Sequence, residues 1–161
     1  MADEPVARVI LTLRLVFFAI AAGIVVFGTV AAVLVAGGTV PARPELGSLL
    51  LPALLVAAVL TSVAFLVVRQ AILAGLPRTD PAVGAVEMPL PTLLGRFHAL
   101  TIVGGALAEL PSLFGIVVFL LTRQWIALLV PILGLVVLVL LIPSRDRFTR
   151  FTERVTRSRD I

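Results

Sequence analysis

One carboxylic acid stands in the otherwise apolar run Ala106–Phe119, ALAELPSLFGIVVF. It is Glu109, followed closely by Pro111 and Ser112. A carboxyl in such surroundings either holds a proton or is ionised and meets a cation or donors in a protein-lined site. Pro111 brings no backbone N–H, so the carbonyl of Leu107 loses its helical partner and becomes a free acceptor near the acid. Ser112 adds a hydroxyl three residues on, and Gly105, four residues earlier, leaves room beside it. Glu109, Ser112 and the Leu107 carbonyl are therefore the candidate groups for binding a proton or a monovalent cation.

His98 is the only histidine. It precedes Glu109 by about 16 Å of helix and lies on nearly the same face. It reads either as a relay passing protons to the acid or as an interfacial histidine beside Arg96. One histidine, no cysteine and no second buried acid leave a metal site without ligands. A phosphate-binding loop, a nucleophile–base pair, a haem motif and a Gly-rich nucleotide fingerprint are all missing from the sequence. The expectation is a non-enzyme without a cofactor.

The elements that hold these residues follow from composition. Of 161 residues, 60% are hydrophobic and 14% charged, and the mean hydropathy is +1.19. A soluble domain needs a far more polar surface, so the chain reads as an integral membrane protein. No charge falls between Arg14 and Arg43, Glu45 and Arg69, or Arg123 and Arg145, and only Glu109 between Arg96 and Arg123. A spanning helix needs about 20 apolar residues. The expected fold is all-α and polytopic, with four transmembrane helices over about 13–37, 49–71, 97–122 and 125–142. These form a domain over residues 1–143, and residues 144–161 form a basic tail. The first apolar run is too long for a typical signal peptide and its head carries acids as well as arginines, so it reads as a retained helix.

Counted from the ends of the third helix, Glu109 falls close to the membrane midplane. Thr29 falls near the same level, Thr61 and Ser62 nearer the cytoplasm. Thr101, Gly105, Ala108 and Ser112 make a stripe of small residues suited to close helix packing in lipid. Pro111 and Pro131 are expected to kink the third and fourth helices.

All thirteen basic residues are arginine, which fits a GC-rich bacterial genome. They gather on the N-terminal flank, the middle connector and the tail, which places both termini in the cytoplasm of a bacterial inner membrane. The net charge of +4 thus reads as a topology signal and not as a nucleic-acid footprint. In the tail, Phe148, Phe151 and Val155 recur at helical spacing among Arg147, Arg150 and Arg154. That pattern suggests a short amphipathic helix on anionic lipid; a solvated basic tail is the other reading.

The segment Ala106–Val118, A-x-x-E-x-x-x-L-F-G-I-V-V, resembles the carboxylate helix of the proteolipid subunit c of rotary ATP synthases. Glu109, Phe114 and Gly115 fall on that helix's acid and on the aromatic–glycine pair that follows it. The resemblance implies that the acid binds a transported proton or sodium ion and that the subunits form a ring. It covers about 14 of 161 residues. The family's glycine-rich partner helix has no counterpart between Gly47 and Gly75, and its short polar loop is replaced by a long proline-rich connector. The chain also resembles a group of small bacterial four-helix membrane proteins with a similar third helix, which implies no activity.

Two functions remain in view. One is a proteolipid-like membrane protein whose Glu109 binds a proton or monovalent cation in a homo-oligomer. The other is a non-transporting structural or accessory subunit of a larger membrane complex, with Glu109 as a hydrogen-bonded packing pin.

Overall fold

The computed structural model describes residues 3–74, 90–144, 146 and 148–150. Helices are their only regular structure, with no strand among them. Helix α1 runs over Asp3–Ala36, α2 over Gly47–Ala74, α3 over Leu90–Thr122 and α4 over Leu129–Leu141. Short 3₁₀ turns, Pro44–Leu46 and Trp125–Leu128, lead into α2 and α4.

The ends of the helices have local causes. After α1, the Thr39 N–H donates to the Leu34 carbonyl and the Gly38 N–H to that of Val35. This paired closure needs a left-handed residue between them, and Gly38 supplies it with φ +67°. Helix α4 stops at Leu141, two residues before Pro143, and the Ile142 N–H donates back to Val139.

Three helices, α1, α2 and α3, are long and apolar enough to cross a membrane. The fourth expected span, 125–142, is shorter: four residues of 3₁₀ turn followed by 13 of α-helix. Pro131 explains that division. It falls in the first turn of α4, where a backbone N–H has no intrahelical partner to lose. The residue expected to kink the fourth helix therefore sits in the first turn of its α-helical part. Pro111, in contrast, lies inside a continuous α3.

Helix α3 is the hub of the bundle. Helices α1, α2 and α4 all pack on it, and α1 also touches α4, while α1 and α2 share at most a marginal contact. The main core joins Phe17, Ile24 and Ala31 of α1 to Leu54 of α2, Ile116, Val118 and Phe119 of α3, Ala127, and Leu138 of α4. The outward surface is equally apolar: Phe18 is 76% exposed and Leu49 70%. Water would penalise such a surface, whereas lipid does not.

Arginine side chains clasp both ends. At one end the Arg14 Nε donates to the Pro143 carbonyl at 2.9 Å. Beside it Leu13, Leu94, Phe97 and Phe148 form a second small cluster, with Phe97 and Phe148 edge to face at 5.4 Å. At the other end the Arg123 guanidinium donates to the Val40 carbonyl at 2.8 Å, and the Arg43 N–H to that of Leu121 at 2.9 Å.

Phe148, expected to face lipid from a surface helix, is instead buried against the ends of α1 and α3. Its neighbours Leu13, Leu94 and Phe97 offer a drier site than a headgroup layer. Arg150 is exposed and its Nε donates to the Asp146 carbonyl. Arg147, Phe151 and Arg154, the other members of that expectation, lie outside the described residues.

Candidate functional site

Close contacts at glycines fix how the helices are aligned along the bundle. A Cβ added to Gly47 of α2 would press on Gln124, and one added to Gly104 of α3 would meet Phe65 of α2 at 3.1 Å. Both pairs put α2 antiparallel to α3 in a single register, which sets Thr61 and Ser62 level with Glu109 and Ala108. On the other flank, Gly105 faces Phe17 and Ile20 of α1, and Ile116 faces Gly28. That parallel register sets Glu109 beside Ala21–Ile24. On α4, Ser112 faces Gly134 and Gly104 faces Leu141, so Glu109 is level with Val136–Leu138.

The alignment corrects the depths expected for the neighbouring hydroxyls. Thr29 lies about 10 Å further toward the Arg123 end than Glu109. Thr61 and Ser62, expected at a different depth, share its level. They nevertheless cannot reach it within the chain. Gly104 marks the side of α3 that faces α2, and Glu109 is five residues on, about 140° around the helix. In the α1 register Arg14 marks one end of the apolar span, and Glu109 is about 14 Å from that end and about 20 Å from Arg123. The acid is thus near the middle of the span.

Glu109 itself is half-buried. On one side lies the α1 contact made by Gly105 and Ile116; on the other lies an outward stripe containing Ile102, Ala106 and Leu110. Its carboxyl makes no hydrogen bond or ion pair with any described residue.

The groups expected to serve it are engaged elsewhere. Ser112 is fully buried, and its hydroxyl donates to the Ala108 carbonyl at 2.7 Å, in contact with Gly134. The carbonyl of Leu107 is aimed along α3 at Pro111, about 160° around the helix from Glu109. Thr101 donates to the Phe97 carbonyl at 2.7 Å. Within the stripe of small residues, Gly105 receives the ring of Phe17, while Ala108 and Ser112 receive α4. That stripe is spent on packing inside the chain. His98 is half-buried, on the same side of α3 as Glu109, and makes no hydrogen bond with a described residue. The sequence-predicted set is therefore not gathered around one point: Glu109 stands apart from Ser112 and Leu107.

No group of three or more metal-ligating side chains occurs among the described residues. No protein-family model, no curated protein and no solved structure matches the chain. Chemically, the site is a lone carboxyl in an apolar belt, open on one flank.

Proposed function

We propose that this chain is a small bacterial inner-membrane protein whose Glu109 carboxyl reversibly binds a proton or a monovalent cation, with the site completed by self-association. In this reading α4 with its 3₁₀ turn is a fourth span. Its roughly 27 Å length comes close to the hydrocarbon thickness. The arginine-rich termini lie in the cytoplasm.

The observation that carries the reading is the carboxyl's isolation. An acid near mid-span is functional by default, and Glu109 has no partner among the described residues of its own chain. A packing pin needs a bonded neighbour. Here the closest helix contact, α3 on α4, is made by Ser112, Gly115, Pro131 and Gly134 without the glutamate.

The test is carbodiimide labelling of the purified protein in lipid, mapped by mass spectrometry across pH and sodium concentration, with Glu109→Gln as control. Labelling at Glu109 that fades as pH rises, or that sodium blocks, supports an exchangeable site. A carboxyl that stays unlabelled at every pH is permanently engaged, and the structural-subunit reading then replaces this one.

A further inference from the structure

We infer that the group facing the Glu109 carboxyl is Ser62 of a second copy of this chain. The inference rests on the reading of Glu109 as a proton or cation site and supplies its missing partner.

Copies related by an axis along the membrane normal keep every residue at its own depth. A partner from another copy must therefore lie at the level of Glu109 and point outward. At that level α1 presents Ala21–Ile24 and α4 presents Val136–Leu138, all apolar. Only α2 presents hydroxyls. Thr61 is half-buried and donates to the carbonyls of Ala57 and Ala58. Ser62 is exposed, and between Ser48 and Gln70 it is the only polar residue on the exposed face of α2.

The chemistry of the pair is compatible. The Ser62 hydroxyl donates to the Ala58 carbonyl at 2.8 Å, which leaves its oxygen lone pairs open. A protonated carboxyl can donate to that oxygen with no change in Ser62. A carboxylate would require the hydroxyl to leave Ala58. The contact is therefore a proton-sensitive one.

The two surfaces are distinct. Glu109 lies on the edge of α3 next to α1, and α1 shares at most a marginal contact with α2. Joining that edge to the Ser62 face of α2 is a head-to-tail contact between unlike surfaces, which closes into a ring when the rotation per copy divides a full turn.

The chain has no cysteine, so introduced pairs report cleanly. Ala106 is exposed and one turn before Glu109 on the same edge. Ser62→Cys combined with Ala106→Cys, oxidised in native membranes, is expected to give a ladder of covalent multimers. Val139→Cys with Ala106→Cys, on the exposed face of α4 at the same depth, is expected to give none. With Glu109 intact and at a pH low enough to keep it protonated, Ser62→Ala is expected to speed its carbodiimide labelling about threefold, the size of one lost intramembrane hydrogen bond. Ser62→Thr, which keeps the hydroxyl, should restore the original rate.

Absence of the ladder overturns the assignment, as does Ala106→Cys alone cross-linking into dimers, which would mean a two-fold α3 contact. If pH-dependent labelling of Glu109 survives that result, only the partner is wrong. A ladder without any labelling supports the contact and removes the proton-site reading alone.

Discussion

The Ser112 side chain occupies the space that a methyl group on Gly134 would need. The missing Cβ lets α4 settle onto α3 where the Ser112 hydroxyl is tied to the Ala108 carbonyl. The hydroxyl that stands closest to Glu109 in the sequence is thereby enclosed in a helix–helix joint.

Gly134→Ala is expected to destabilise the bundle by about 1–3 kcal/mol, the usual cost of overpacking. The methyl would overlap Ser112 Oγ and come within 3.2 Å of the Ala108 carbonyl. Thermal unfolding in detergent measures the loss. Adding Ser112→Ala should recover part of it by removing the obstructing oxygen; a double variant no better than the single would show that the joint is not the cause.

Glu109→Gln is expected to leave the stability of the single chain within about 0.5 kcal/mol, as for a side chain that bonds to no described residue of its own chain. The same variant should lose all carbodiimide labelling at this position. A large fall in melting temperature would mean that the carboxyl carries a structural bond.

Arg123 combines two opposing contributions. Its φ of 55° is left-handed, which costs a non-glycine residue about 1–2 kcal/mol. Its guanidinium bond to Val40 contributes about 1.5–3 kcal/mol, as a charged donor does. Arg123→Ala loses the bond and keeps the strain, whereas Arg123→Gly loses both. The expected order of melting temperature is native, then glycine, then alanine.

Phe148→Ala should loosen the start of the tail. It removes an aromatic pair worth about 0.5–1.5 kcal/mol beyond its buried area and takes one side from the cluster with Leu13 and Leu94. Trypsin, which cuts after arginine, should then cleave beyond residue 144 up to about tenfold faster. An unchanged rate would mean that the Phe97 contact does not hold the tail.

The all-helical, apolar character of the fold was legible because charges divide the sequence into blank stretches longer than 20 residues. Three of those stretches are the long helices. The fourth stretch shows where composition stops informing. An apolar run does not reveal that Pro131 falls in the first turn of an α-helix preceded by a 3₁₀ turn.

Around the acid, spacing along one helix was the wrong guide. Ser112 is a neighbour of Glu109 by number, but its hydroxyl bonds to its own backbone and its side chain meets α4. Depth counted from the ends of the apolar runs misplaces Thr61 and Ser62, because those ends do not mark where α2 sits against α3. The cross-helix contacts Gly47–Gln124 and Gly104–Phe65, which set the true register, leave no periodic trace in a single sequence.

Helix α3 is the shared support of α1, α2 and α4, yet it comes third in the chain. Made from the N-terminus onward, the chain completes α1 and α2 before the helix on which both pack exists. Those two share at most a marginal contact with each other. The core of the bundle therefore cannot close until the segment with Glu109 has been made.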